Sequence, residues 1–191
     1  MAPDTEFVGR TAVAFVMAVG SFAQAVDGED EIFRLLLVDR LRDAKPNSVT
    51  VIQATTLRFP RLRDSQWAFF GAPVQTLRLK IESSAEFTPD AFALELFPPS
   101  TQLVSQAELQ PLGGAPLDDL LRSWAAFRDR FRAQTFYAFS SPVVSDDGLD
   151  ALVFRATSCG PQCGRTDLFW IHRAARSEPW SIAKELPMGI S

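Results

Sequence analysis

Asp150-Ala151-Leu152-Val153-Phe154-Arg155-Ala156-Thr157 and Thr166-Asp167-Leu168-Phe169-Trp170-Ile171-His172-Arg173-Ala174 flank the turn Cys159-Gly160-Pro161-Gln162-Cys163-Gly164, and their reading decides the fold. Both flanks are rich in the apolar, β-branched and aromatic residues that suit strands, and the turn between them is built from Gly and Pro. The stretch predicts an antiparallel hairpin. With Cys159 facing Cys163, Val153 falls opposite Phe169, Phe154 opposite Leu168, Leu152 opposite Trp170, Arg155 opposite Asp167 and Asp150 opposite His172. Nearly every pair is then apolar with apolar or opposite in charge. Gly160 precedes Pro161 and is pushed away from the helical region, so a wider loop with the register slipped by one pleat repeat is the alternative; such a slip leaves both faces unchanged.

Working outward, Asp146-Asp147-Gly148 offers a tight turn that brings Phe139 to Val144 alongside Asp150 to Thr157. Pro142 cannot donate to a ladder, which predicts an edge position or a bulge for that strand. After Pro179, Trp180, Ile182 and Leu186 mark a closing strand, so the C-terminal part predicts a four-stranded antiparallel meander. Leu152, Phe154 and Trp170 crowd one face, Val153, Phe169 and Ile171 the other, and such a sheet needs cover on both sides. Leu117, Leu120, Leu121, Trp124, Phe127 and Phe131 recur at helical spacing, with Asp118 and Asp119 in front and Arg128, Arg130 and Arg132 behind. That amphipathic helix is the expected cover. The fold class is α+β, with a curved sheet wrapped on helices as in nuclear-transport-factor-like or cystatin-like folds.

Earlier in the chain, Glu29 to Asp43 predicts a helix through Ile32, Leu35, Leu36 and Val38, stopped at Lys45-Pro46-Asn47. Val49-Thr50-Val51-Ile52 opens a strand reaching Leu57. Gln75 to Ile81 alternates Leu77, Leu79 and Ile81 with Arg78 and Lys80, the pattern of a half-exposed strand. Thr88-Pro89-Asp90 resembles a helix cap and predicts a short helix ending at Phe97. Gln106 to Ala115, with Pro111, Gly113 and Gly114, is the least patterned stretch and reads as a loop.

The chain has 191 residues, 47% hydrophobic, 22% charged and 11% aromatic, which fits an ordinary globular protein. Thr11 to Phe22 is an uninterrupted run of apolar and small residues followed by Ala23-Gln24-Ala25, a small-x-small cleavage pattern. This predicts a signal peptide over 1–25 and one domain over 26–191, exported to the periplasm or beyond. The run is too short to span a bilayer, and no membrane span is expected after cleavage. The net charge is −4, and the arginine groups Arg58, Arg61 and Arg63, and Arg128, Arg130 and Arg132, are interleaved with carboxylates. Nucleic acid is therefore not the expected partner.

Cys159 and Cys163 lie across a turn in a chain addressed to an oxidising compartment, so a structural disulfide is expected. Two sharper chemistries compete with it. A redox dithiol needs a helix N-terminus to lower the first thiol's pKa, and a hairpin supplies none. A Cu(I) site would add His172 or Met188 to the two thiolates, but on a strand His172 lies roughly 30 Å beyond Cys163 at about 3.3 Å per residue. His172 is the only histidine, and pairing with Asp150 is its expected state. Ser140 or Ser141 aimed at that ring would be needed for a triad, and nothing resembles a nucleophile elbow. Asp146-Asp147 and Asp118-Asp119 are explained by a turn and a helix start. Phosphate loops, zinc spacings and calcium loops are absent from the sequence, and no cofactor is expected. Trp67, Phe69 and Phe70 beside Gly71 are candidates for a pocket or a partner-facing patch, with core packing as the alternative.

Trp124 to Phe127, Phe139-Ser140-Ser141-Pro142-Val143-Val144, Asp147 to Val153, the Cys159 to Gly164 turn, Trp180-Ser181-Ile182 and the terminal Ile190-Ser191 together resemble an uncharacterised family of small exported bacterial proteins. In them a helix ending in aromatics precedes a serine-containing strand, an alanine-rich strand, a Cys-Gly-x-x-Cys-Gly turn and a closing strand with tryptophan. The resemblance implies fold and export but no activity. The expected function is a non-catalytic binding or interaction protein of the cell envelope with a protein partner. A thiol-redox or copper-handling protein, or a cone-shaped pocket for a small apolar ligand, are the alternatives.

Overall fold

A computed structural model describes residues 28–42, 49–83, 90–113 and 116–190. The leader over 1–25, the breaker Lys45-Pro46-Asn47 and the Thr88-Pro89 cap lie outside the described residues. Among the described residues the α-helices are α1 Glu29–Arg42, α2 Asp64–Phe70, α3 Gln75–Ser83, α4 Gln106–Leu109 and α5 Leu117–Phe131. The strands are β1 Thr50–Gln53, β2 Thr101–Val104, β3 Phe136–Phe139, β4 Val143–Val144, β5 Asp150–Gly160, β6 Cys163–His172 and β7 Ser181–Ile190.

These strands form one mixed sheet of seven in the order β2-β1-β3-β5-β6-β7, with β4 pairing β5 beyond the end of β3. The protein is α+β, but the expected four-stranded meander is corrected. Antiparallel pairing joins β3, β5, β6 and β7, and β1 then adds in parallel to both β3 and β2. Parallel neighbours are linked through long crossovers, so no local turn announces them in the sequence.

The central hairpin has the expected register: Val153 pairs Phe169, Leu152 pairs Trp170, Arg155 pairs Asp167 and Asp150 pairs His172. Side chains alternate across the sheet, so its two faces are covered by different helices. On one face, Ile32, Phe33, Leu36 and Leu37 of α1 pack with Phe92 and Phe97 against Ile52, Phe139, Val153, Phe169 and Ile171. On the other, Trp67, Phe70, Val74 and Leu77 pack on Leu152 and Leu168. The expectation that α5 covers the meander is also corrected. Trp124, Phe127 and Phe131 of α5 pack with Val51 of β1, Val104 of β2 and Phe136 of β3, at the parallel end. An apolar stripe fits any apolar sheet face, and its spacing alone does not say which.

Pro142 breaks the strand at the expected place. The pairing Phe139 with Arg155 gives way to Val143 with Leu152, an extra residue on the β3–β4 side. Within this bulge the fully buried Ser140 replaces a ladder partner with its side chain: its hydroxyl accepts from the Phe154 N–H at 3.0 Å. The following turn closes where Asp146-Asp147-Gly148 placed it, with Gly148 at φ +76° and the Asp147 carboxylate accepting from Leu149 N–H at 3.0 Å. The Ser145 hydroxyl and that N–H hold the Asp147 carboxyl below its ordinary pKa.

Four local expectations differ. Gln75–Ser83 is the helix α3, not a strand. Gln106–Leu109 is helical and continues as a 3-10 turn over Gln110–Leu112, not a loop. The short helix before Phe97 is reduced to a 3-10 turn at Leu94–Leu96. β1 ends at Gln53, and the chain beyond it makes only single bridges, Thr55 with Ala91 and Leu57 with Ser140.

Candidate functional site

β5 and β6 are joined by Pro161-Gln162 alone, and the register shifts between Ser158 and Gly160 so that Cys159 is the extra residue of a bulge. Gly160 takes φ +154°, a conformation that suits glycine. The shift turns Cys159 toward Cys163, with Cα atoms 5.0 Å apart and the sulfurs joined in a disulfide, inside the span such a bridge requires. The bridge sits at a hairpin tip and not at a helix N-terminus, so no helix dipole acts on its thiols.

This clasped tip overhangs a groove. Ser158, Gly160 and Pro161 of the tip, Gln53 at the end of β1, Phe136 at the start of β3, Leu120 of α5, and Gln106, Ala107, Leu109, Gln110, Leu112 and Gly113 around α4 line a space of about 860 Å³, open to solvent. That volume lies in the range of about 300–1,000 Å³ common for ligand sites. Among the described residues, none that lines it is charged. Gln53 donates through Nε2 to the Thr55 carbonyl at 3.2 Å, and its Oε1 accepts no hydrogen bond from any described residue. Phe136 shows the groove one side of its ring, because Trp124 stacks on it with centroids 5.9 Å apart.

A short helical ridge holds the glutamines in place. Ser105 caps α4 through a reciprocal box: its hydroxyl accepts from Glu108 N–H at 3.3 Å, and the Glu108 carboxylate accepts from Ser105 N–H at 3.1 Å. Arg130 of α5 pairs with the same carboxylate. The Ser105 hydroxyl, the Ser105 N–H and Arg130 hold the Glu108 carboxyl below its ordinary pKa. Glu108, between the lining residues Ala107 and Leu109, is thus a paired charge.

The candidates read from the sequence lie elsewhere. Trp67 and Phe70 are core residues, both 1% exposed. Phe69 is 44% exposed, but Lys184 lies over its ring and donates to its carbonyl at 2.8 Å. His172 places Nδ1 2.9 Å from Asp150 Oδ1, the oxygen that also accepts from Trp170 Nε1 at 2.7 Å. It stands at the end of β6 opposite the disulfide. The Ser140 hydroxyl is engaged in the bulge and not aimed at His172. None of these residues lines the groove. Met188 packs in the cluster around Trp67, and among the described residues no group of three His, Cys, Asp or Glu could hold a metal ion.

Of the groove residues, the sequence marks Leu120 only as part of a helical stripe, and it does not single out Gln53, Gln106, Gln110, Leu112 or Phe136. One signal was there: Ser105-x-x-Glu108 is a capping box, and it marks the ridge as helical. No helix among the described residues is long and apolar enough to cross a membrane, and a disulfide is compatible with export. No family model, curated protein or solved structure matches this chain, which leaves the site itself as the ground for its function.

Proposed function

We propose that this chain is a non-catalytic binding protein of the bacterial cell envelope, and that its ligand sits in the groove beside the Cys159–Cys163 tip. The observation that carries this reading is a groove of ligand size whose lining has no charged side chain and one of whose walls is held in shape by the protein's disulfide. General acid or base chemistry needs a titratable group at the reacting atom, and none of the described residues that line the groove carries one. Glutamine amides and leucines together match a ligand with uncharged polar groups and an apolar side. An open groove with three glutamines in its lining differs from the cone-shaped pocket for a small apolar ligand.

The test is capture from envelope extracts by the full chain and by Gly113→Trp. Nothing lies within 4 Å of a Cβ built at Gly113, and Gly113 lines the groove, so a tryptophan there adds bulk at the groove wall without displacing the core. A ligand held by the native chain and lost by Gly113→Trp, with thermal stability unchanged, is the expected result. Equal capture by both overturns the groove as the site. A chain whose dithiol form readily reduces other disulfides would favour the thiol-redox alternative instead.

A further inference from the structure

We infer that the groove's ligand is an extended, uncharged peptide segment of a partner protein, an inference that rests on the groove being the binding site. The first ground is the ladder. β3 pairs β5 only as far as Phe136 with Ser158, so no β3 residue lies opposite Cys159 or Gly160. β5 therefore runs two residues past the end of its ladder with β3, beside the groove, and this is the place for a peptide backbone to add as a strand. The second is the amides. Gln106 and Gln110 lie one helical turn apart on the ridge. Each primary amide both donates and accepts, as the alternating N–H and C=O of a peptide require. The third is charge: no described residue that lines the groove could form an ion pair with a ligand carboxylate or ammonium, so nothing there favours a charged segment over an uncharged one.

The apolar part of the peptide also has a place. Leu117 and Leu121, 51% and 50% exposed, flank the lining residue Leu120 at the start of α5. They form an apolar strip that continues the groove. A neutral glycan fits less well, because the groove offers no exposed tryptophan or tyrosine face and Phe136 is already stacked on Trp124.

The test is affinity selection by the full chain from a random library of capped peptides about nine residues long, enough to span roughly 30 Å extended. A parallel arm uses a neutral glucan oligosaccharide. Selected peptides are expected to be uncharged through their centre and to carry leucine or its equivalents, and Gly113→Trp should abolish the selection. Gln110→Glu places one carboxylate on the exposed ridge. It should redirect selection toward peptides with a central Lys or Arg by about tenfold, equivalent to about 1.4 kcal/mol. Amide exchange at Cys159 or Gly160 should slow when a selected peptide binds. The inference is overturned if no peptide is enriched, if charged sequences win on the native chain, or if Gln110→Glu selects the same peptides. Retention of the glucan alone, lost in Gly113→Trp, overturns the peptide class and leaves the groove standing. Selection that survives Gly113→Trp overturns both.

Discussion

Arg155 and Asp167 face each other across the central hairpin as an ion pair closed off from solvent. The guanidinium Nη2 stands 3.1 Å from Asp167 Oδ2, with side chains 13% and 0% exposed, and Arg165 Nε lies 2.5 Å from the other carboxylate oxygen. Arg155 also donates to the Leu36 carbonyl inside α1 at 2.9 Å, and its guanidinium lies over the Phe169 ring at 4.6 Å. One side chain therefore ties the hairpin register to the helix that covers it. Removing the Asp167 charge leaves the largely buried Arg155 guanidinium without a carboxylate, a loss of the kind that costs about 3–5 kcal/mol, whereas an apolar pair of similar volume is often tolerated. Asp167→Asn is expected to lose about 3 kcal/mol in denaturant unfolding, and Arg155→Met with Asp167→Leu to recover most of it. Additive losses in that double-mutant cycle would show that the pair is not coupled.

The disulfide acts on the tip alone. It closes a very short loop, for which chain entropy gives about 2 kcal/mol, while the hairpin beneath it is held by Leu152, Val153, Leu168 and Phe169, all within 2% of full burial. Cys159→Ser with Cys163→Ser should therefore lower stability by about 2 kcal/mol and raise amide exchange only near the tip. Exchange that rises throughout β5 and β6 would give the bridge a larger part in the fold than the tip geometry assigns.

Glu108 supplies a pH test of the ridge that carries the groove glutamines. Its carboxyl is held below the ordinary value of 4.5, first by the Ser105 hydroxyl, then by the Ser105 N–H and Arg130. A carboxyl whose folded pKa is depressed stabilises the fold above its unfolded pKa and loses that contribution as pH falls through the folded pKa. The midpoint of Glu108 in a carboxyl-detected titration should lie below 4.5. The gap in melting temperature between the native chain and Glu108→Gln should be open near neutral pH and close as the pH is lowered through that midpoint. A gap that is constant across the acid range would mean that Glu108 holds the ridge without its charge.

What could be read from the sequence follows from the range over which each signal acts. The hairpin register was legible because Arg155 with Asp167 and Leu152 with Trp170 are paired through a turn of known length. α5 was legible because Trp124, Phe127 and Phe131 recur on one face beneath an acidic first turn. Its docking place was not, since Val51 and Val104 lie far away in sequence and join through parallel pairing. The groove stayed hidden for the same reason. Gln53, Gln110 and Ser158 are brought together only by the sheet order, and nothing local marks any of them.

α3 is a helix whose sequence also carries the alternation of a strand, and the two periods make different predictions. Leu77, Leu79 and Ile81 alternate as in a strand, yet Leu77 and Ile81 are also i and i+4, one face of a helix. The helix buries Leu77 completely beneath Trp67 and Phe70 and leaves Leu79 68% exposed. Arg78 meets Glu82 one turn on at 2.9 Å and Asp64 of α2 at 2.8 Å, contacts that alternation alone does not anticipate. Leu77→Ala should cost about 2–5 kcal/mol, as a buried leucine truncated in a packed core does. Leu79→Lys should stay within about 0.5 kcal/mol of the native chain, as surface changes do. In a strand the two leucines would share a face and both substitutions would cost alike, so comparable losses in denaturant unfolding would restore the strand and remove the cover from Leu152 and Leu168.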